Sequence, residues 1–108
     1  MNHELGWQKR KIKCSFKSLK NLSGQCGAIN GNHFYMFGGV NAEFKCNNYL
    51  VKLHIESLEL ESVESKGEIP QPRESAHMFC IGKEWLLLYG GVNTNSIDIY
   101  GNFHFYNI

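Results

Sequence analysis

Two short apolar runs, each ending on a pair of glycines, constrain this chain more than any other feature. The first is His33–Phe37 followed by Gly38-Gly39, and the second is Trp85–Tyr89 followed by Gly90-Gly91. Each run is too short for a typical helix, so each predicts a β-strand, and the second predicts a strand buried on both faces. The glycines allow the chain to leave the sheet in a conformation that other residues resist. Because the two pairs lie 52 positions apart, the chain contains an internal repeat.

The stretches around these runs predict further strands and turns. Asn30-Gly31-Asn32 separates two strand-like runs and predicts a β-hairpin. Residues 58–64 alternate apolar and acidic residues, with Leu58 and Leu60 on one face, which predicts a half-exposed strand. Residues 65–72 and 92–101 are polar and predict loops. The expected strands are 7–12, 24–30, 33–38, 48–55, 58–64, 75–82, 84–90 and 102–108.

Laid over itself at an offset of 52, the chain matches in residue type rather than in identity. Ile29 falls on Ile81 at that offset, and Trp7 falls on Leu60 at an offset of 53. A four-stranded unit that repeats about every 50 residues is typical of a blade of a β-propeller. The fold class that we predict is therefore all-β, with four-stranded antiparallel blades.

Composition and charge agree with one small packed domain. The 108 residues are 43% hydrophobic and 13% aromatic, too apolar for a disordered chain. The net charge is +1, but residues 1–20 carry +5 and the remainder −4. The basic cluster could contact nucleic acid or acidic lipid. We favour a solvated outer strand, and so expect neither nucleic acid nor a membrane as a partner.

The N-terminus and the cysteines indicate a cytoplasmic protein. Met1–Glu4 has no apolar core, so it is not a signal peptide, and no apolar run reaches the length of a membrane span. The four cysteines have no Cys-x-x-Cys spacing, so we expect free, buried thiols in a reducing compartment. They are Cys14, Cys26, Cys46 and Cys80.

The chain lacks the patterns that indicate catalysis, cofactors or metals. His77 and Cys80 have ligand-like spacing, but residues three apart on a strand point to opposite faces. Neither a phosphate-binding glycine loop nor a Gly-x-Ser-x-Gly nucleophile elbow is present. We therefore expect no catalytic residue, no cofactor and no metal.

Two motifs together make the chain similar to the kelch repeat family of β-propellers. One is the double glycine after an apolar strand. The other is Gly67-x-x-Pro70-x-Pro72-Arg73-x-x-x-His77, thirteen residues before the second glycine pair. The resemblance covers nearly all of the chain from Trp7, which would open a fourth strand. It implies that Arg73 and His77 brace neighbouring blades.

The first unit departs from the family pattern at three positions. Gln25 stands where the second unit has His77, and Asn21 stands where it has Arg73. Leu60 stands where the family usually has tryptophan. The structural repeat motif therefore comprises Gly38, Gly39, Arg73, His77, Gly90 and Gly91.

The resemblance also divides the chain into blades. Residues 1–22 would hold the fourth strand of a preceding blade, residues 23–66 a complete blade, and residues 67–108 a second blade without its fourth strand. Propellers usually have at least four blades, so two leave an incomplete ring with uncovered sheet faces and edges. Further blades of a longer chain, association of copies, or a partner would cover them. We expect the isolated chain not to be a compact, stable monomer.

Kelch proteins imply a function in protein binding, with the loops of the blades as the binding face. We predict a non-enzymatic protein-protein interaction module. Alternatives are a fragment of a kelch-containing enzyme, a truncated product without independent function, or loops with no ligand. The candidate partner-binding residues are Asn41, Glu43, Phe44, Lys45, Lys66, Glu68, Asn93, Asn95 and Asp98.

Overall fold

A computed structural model of the protein describes residues 5–14 and 22–108. All regular elements in these two ranges are β-strands, which confirms the predicted all-β fold class. Most strands have five residues. They are β1 (Lys13–Cys14), β2 (Cys26–Asn30), β3 (His33–Phe37), β4 (Leu50–His54), β5 (Glu59–Val63), β6 (His77–Ile81), β7 (Trp85–Tyr89), β8 (Val92–Asn93), β9 (Asp98–Ile99) and β10 (Phe103–Asn107).

The first sheet has five strands in the order β1-β5-β4-β3-β2. Strands β2 to β5 form an antiparallel meander that lies within the predicted range 23–66. Cys26 pairs with Phe37, Phe37 with Leu50, and Leu50 with Val63, so one row of apolar residues crosses the sheet. The predicted hairpin at Asn30 is confirmed, because β2 and β3 are joined by a two-residue turn.

The second sheet has three strands in the order β10-β7-β6. Tyr89 pairs with both His77 and Phe103, so β7 is central and antiparallel to its two neighbours. The loop predicted at 92–101 contains a small hairpin, in which Val92 of β8 pairs with Ile99 of β9. The sequence did not reveal this hairpin, because strands of two residues are too short to show a period-2 alternation.

Seven of the eight predicted strands are present with bounds within two residues of those expected, and one is not. The strand predicted at 7–12 is wrong: β1 begins at Lys13, and Trp7 is fully exposed. Lys13 N donates to Leu58 O at 2.8 Å, and β1 runs parallel to β5 as a fifth strand of the first sheet. The basic run before Lys13 has no apolar face to bury, which gives it little reason to form a strand there. Leu58 itself lies in a turn with φ of 61°, outside β5.

Three strands of the first sheet have counterparts in the second sheet, but the offset between counterparts changes along the chain. It is 51 residues between β2 and β6, 52 between β3 and β7, and 53 between β4 and β10. The first step comes from the hairpins: two residues separate Asn30 from His33, whereas three separate Ile81 from Trp85. The single offset of 52 therefore misaligned the first strand of each unit.

This shift corrects three correspondences. The counterpart of Ile29 is Cys80 rather than Ile81, and that of His77 is Cys26 rather than Gln25. The same offset of 51 places Leu22 opposite Arg73. Asn21, which the constant offset had placed there, lies outside the described residues.

The core lies between the two sheets. Strand β2 of the first sheet lies against β6 of the second, and Asn30 Nδ2 donates to Lys83 O at 2.9 Å beside them. The buried cluster takes four residues from each unit: Cys26, Tyr35, Phe37 and Leu50, and Ala76, Met78, Leu86 and Leu88. Burying apolar side chains contributes about 25 cal/mol per Å², so this contact stabilises the packing of the two units against each other.

Because successive strands are antiparallel, their connections alternate between two ends of the sheets. Residues 38–49, 64–76 and 90–102 lie at one end, which we call the loop end. The short connections 31–32, 55–58 and 82–84 lie at the other, the turn end. Both glycine pairs and all the candidate binding residues are at the loop end.

Candidate functional site

The glycine pairs are points of close backbone approach. Gly38, Gly39, Gly90 and Gly91 all have positive φ, between 73° and 103°. A Cβ on Gly38 would collide with the carbonyl oxygen of Arg73, and one on Gly39 would lie 2.9 Å from Ser23 O. Glycine is required at Gly38 and Gly39 because the angle is strained for other residues and the space is filled by neighbouring atoms, whereas at Gly90 only the angle favours glycine.

Arg73 is the one buried charged residue among residues 5–14 and 22–108, with 1% of its surface exposed. Its Nη1 donates to Gly90 O at 2.9 Å, and its Nε donates to Gln71 O at 3.1 Å. The guanidinium carbon lies 4.1 Å from the ring centroid of Tyr100, a cation–π contact. Burial lowers the pKa of Arg73 from its ordinary value, and Tyr100 opposes that shift. These contacts give Arg73 a structural role.

The main chain of Arg73 contacts the first unit while its side chain contacts the second. Gly39 N donates to Arg73 O at 2.9 Å, and Arg73 N donates to Asn47 O at 3.2 Å. His77, by contrast, is exposed on the side of the second sheet that faces away from the first. It takes no part in the contact between these two sheets.

Two predicted binding residues shape the loops that follow the glycine pairs. Asn41 Oδ1 accepts hydrogen bonds from Glu43 N at 2.9 Å and Lys45 N at 3.0 Å. Its counterpart Asn93 accepts one from Asn95 N at 2.9 Å. Such Asx turns fix a short loop by replacing backbone partners, so these asparagine side chains are engaged within the loops.

Asn95 joins the two loops to each other. Its Oδ1 accepts a hydrogen bond from Cys46 N at 2.9 Å, and its Nδ2 donates to Phe44 O. The carboxylate of Asp98 accepts a bond of 2.7 Å from the Ser96 hydroxyl. The structure thus brings together the predicted residues of the loops 41–45 and 93–98 in one ordered surface.

Three apolar side chains project from this surface, and we call them the loop platform. Phe44 is 78% exposed, Ile97 is 88% exposed and Ile99 is 85% exposed. Phe44 and Ile97 both have positive φ, at 62° and 60°. This conformation is unusual for any residue but glycine and most of all for a β-branched one, so the surrounding loop holds these residues in place. Sequence reasoning missed Ile97 and Ile99, although two isoleucines in a polar run were a signal.

Lys66 and Glu68 lie in a different place, at a cleft between the outer parts of the two sheets. The cleft has a volume of about 330 Å³ and a lining of mixed polar and apolar character, in which Leu50, Leu86 and Tyr106 are apolar members. The side chains of Lys66 and Glu68 are exposed, so these two residues form the polar margin of the cleft.

His104 also lines this cleft, and sequence reasoning missed it. Its Nδ1 is buried and makes no hydrogen bond to any described residue. Burial and the charge of Arg73 lower the pKa of His104, while Glu68 opposes the shift. The alternation of residues 103–107 could have placed His104 on the inner face of its strand.

The described residues contain neither a grouped metal site nor a disulfide. Among residues 5–14 and 22–108, no three His, Cys, Asp or Glu side chains are grouped to hold a metal ion. No disulfide joins any of the four cysteines, all of which lie in those ranges, but the prediction of buried thiols was wrong for all of them except Cys26. Within the same ranges, the fold contains no helix that is long and apolar enough to cross a membrane.

Comparison with known proteins gives two weak similarities. No protein-family model matches the sequence. The chain is 28% identical over 93 residues to Tip elongation aberrant protein 1 of Schizosaccharomyces pombe, a match that covers 84% of the chain. It is 38% identical over 66 residues to the Rho GTPase-activating protein gacHH of Dictyostelium discoideum, covering 61% of the chain. The chain spans only 8% and 4% of the lengths of these relatives.

Proposed function

We propose that the protein is a non-enzymatic, kelch-type protein-interaction module that binds a partner protein through the loop platform. The observation that carries this proposal is the exposure of Phe44 and Ile97 on loops that are held in unfavourable backbone conformations. Strain of this kind persists only where neighbouring contacts impose it, and it is common at ligand-binding sites. Exposed aromatic and aliphatic residues on a rigid scaffold are typical of protein-binding surfaces.

The rest of the site supports binding rather than catalysis. The asparagines at the loop end are occupied in turns, and the buried arginine makes hydrogen bonds to carbonyl groups of its own chain. The platform therefore offers apolar contact area with few unpaired polar groups, which suits a protein surface better than a small polar substrate.

The two relatives support a shared structural unit. Their names concern tip elongation and the activation of Rho GTPase. Because the chain spans so little of either protein, we propose that it has the binding role of one portion of such a protein and not the activity of the whole. With its thiols reduced, this unit would work in the cytoplasm.

The test compares the wild-type chain with a Phe44→Ser/Ile97→Ser double variant as bait in cytoplasmic extracts. Ile55→Ser is the matched control, because Ile55 is an exposed isoleucine at the opposite, turn end. Proteins that the wild type and control retain and the double variant loses are then purified and measured by calorimetry. We expect at least a tenfold loss of affinity, as for truncation of central interface residues. Equal retention of every bound protein by the double variant would overturn the proposal.

A further inference from the structure

The second sheet presents an apolar face that the described parts of the chain leave uncovered. We call it the outward face, and seven of its nine residues are aliphatic or aromatic. It comprises His77, Phe79, Ile81, Trp85, Leu87, Tyr89, Phe103, Phe105 and Asn107. Apolar surface of this extent on a soluble protein usually marks an interaction site.

The side chains of the outward face are arranged as a surface ready for packing. The rings of Tyr89 and Phe103 are stacked with centroids 4.5 Å apart, and those of Trp85 and Phe105 meet edge to face at 6.4 Å. Phe103 and Phe105 are each 59% exposed. A shallow depression lies between Trp85, Phe105 and Ile81, so the face offers both ridges and a hollow.

The internal repeat shows what kind of surface fits this face. By position in the sheets, His77, Phe79 and Tyr89 are the counterparts of Cys26, Ala28 and Phe37. Those residues of the first sheet pack against the second sheet in the core. The outward face of the second sheet therefore corresponds to the face of the first sheet that the second sheet covers.

The first sheet also has a face that corresponds to the face with which the second sheet covers it. The second sheet covers the first with Met78, Cys80, Leu86, Leu88 and Tyr106. The corresponding residues of the first sheet lie on its other side, which we call the rear face. They are Gly27, Ile29, Phe34, Met36 and Leu53.

Part of the rear face is accessible where the contact would be made. Ile29, on β2, is 61% exposed, whereas Val51 in the middle of the same face is buried. Within the chain, β2 and β6 form the strand contact between the sheets. The exposed part of the rear face thus lies on β2, the strand that by analogy with the contact within the chain would lie against β6.

We propose that copies of this chain associate head to tail, with the outward face of one copy packed on the rear face of the next. Strand β6 of one copy would lie against β2 of its neighbour, as β6 lies against β2 within the chain. At this contact Phe79 is larger than its counterpart Ala28, and Gly27 offers it no extra room. The ring of Phe34 fills the space beside Gly27, which leaves Ile29 and Phe34 as the surface that Phe79 meets.

A contact between two different surfaces can repeat until it closes a ring. Each copy contributes two sheets, and propellers have about four to eight blades, so we expect rings of two to four copies. Pairing of two outward faces with each other would instead give a dimer that does not need the rear face. A further sheet of a longer chain or of another protein would leave the purified chain monomeric.

The experiment measures mass in solution by multi-angle light scattering for the wild type, Phe79→Glu, Ile29→Glu and an equimolar mixture of the two variants. Both positions are exposed, so each variant should keep the circular dichroism spectrum and cooperative melt of the wild type. We expect the wild type at two to four times the chain mass of 12.4 kDa, and each variant alone as a monomer. The mixture should form a dimer, because one intact outward face and one intact rear face remain. Ile99→Glu, on an exposed loop strand outside both faces, should associate as the wild type does.

Three results would overturn the proposal. A monomeric wild type would show that no copy covers the outward face. An Ile29→Glu variant that associates like the wild type would exclude the rear face and indicate pairing of outward faces. Folded variants that fail to combine would exclude head-to-tail contact. The Phe44→Ser/Ile97→Ser variant should associate normally, so this proposal and partner binding by the loop platform can fail separately.

Discussion

The amide of Gly39 donates a hydrogen bond of 2.9 Å to the carbonyl oxygen of Arg73, and this bond ties the first glycine pair to the start of the second unit. The guanidinium of the same arginine donates to the carbonyl oxygen of Gly90, also at 2.9 Å. One residue therefore contacts both glycine pairs, with its main chain and with its side chain. Substitutions at Gly39, Arg73 or Gly90 should therefore affect the stability of the protein more than its binding.

The two glycine pairs should differ in their tolerance of alanine. Gly38 and Gly90 have nearly the same φ, 74° and 73°, so alanine costs about 1–2 kcal/mol of strain at either position. A Cβ at Gly38 also collides with Arg73 O, whereas one at Gly90 finds Tyr100 O at 3.7 Å. We expect Gly38→Ala to lower the free energy of unfolding by clearly more than Gly90→Ala in urea titrations.

Gly31→Ala is the control for strain without crowding. Gly31 has a φ of 59° and open space where the Cβ would lie. It should lose only the strain energy, about 1–2 kcal/mol. Equal losses for all three variants would mean that the contact with Arg73 relaxes without cost.

Arg73→Met should destabilise the protein strongly. The variant keeps much of the apolar stem but leaves Gly90 O and Gln71 O without their donors and removes the contact with Tyr100. Losing two charged hydrogen bonds in a buried site costs about 2–4 kcal/mol. Arg73→Lys keeps the charge but cannot reach both carbonyl groups, so it should fall between Met and the wild type. Thermal and urea melts measure this order of stabilities, and an Arg73→Met variant as stable as the wild type would refute the structural role of Arg73.

How far the sequence predicts this molecule depends on the range of the interactions. The turn at Asn30 and the strands that end on glycine pairs follow from local chemistry, and they were found within two or three residues. The strand expected from Trp7 was wrong because its formation depends on a partner surface, which the local sequence does not contain. The extra residue between Ile81 and Trp85 was hidden because both turns have the same polar character.

The candidate site was predictable as a set of loops but not as a surface. Asn41 and Asn93 share a place in the repeat, which the offset of 52 reveals. The bonds from Asn95 to the loop at Phe44 cross 51 residues and depend on how the two sheets pack. Such side-chain contacts between distant segments leave no periodic trace in a sequence. The alternation of residues 103–107 predicts that His104 faces inward, but it does not show that the imidazole Nδ1 lacks a partner.

Cys26 should be much less reactive than the exposed Cys14. Burial raises the pKa of the Cys26 thiol from 9.0 to about 11, and its sulfur lies 3.5 Å from Phe37 O, to which it donates. The thiolate is the reactive form, so the pKa shift alone slows alkylation about a hundredfold near pH 8. Burial of the sulfur adds to this protection.

The measurement uses iodoacetamide and two variants that each keep one cysteine. One replaces Cys14, Cys46 and Cys80 with serine, and the other keeps Cys14, replaces Cys26 with alanine and replaces Cys46 and Cys80 with serine. Cys26 should react only at the rate of unfolding, and denaturant should make the two thiols equally reactive. Fast modification of Cys26 in the folded chain would show that the core between the sheets opens readily.

His104 should make stability depend on pH below neutrality. Burial is the largest cause that lowers its pKa, and Arg73 adds to it, so the folded protein resists protonation of this imidazole more than the unfolded chain does. The unfolded state therefore binds more protons as the pH falls through about 6.5, and the free energy of unfolding decreases from there down to the lowered pKa of the folded state. At pH 8 the imidazole is neutral in both states and this contribution to stability is fully present.

Two variants isolate this effect from that of the other histidines. His104→Leu removes both the titrating group and the buried nitrogen that lacks a partner, so its stability should change less than that of the wild type between pH 8 and pH 5. Glu68→Gln removes the carboxylate that raises the pKa of His104, so it should lower that pKa further and deepen the loss in acid. Urea titrations across this pH range, with an NMR titration of the imidazole, measure both. Parallel stability curves for the wild type and His104→Leu would show that His104 titrates alike in the folded and unfolded chain, and that the cleft leaves it solvated.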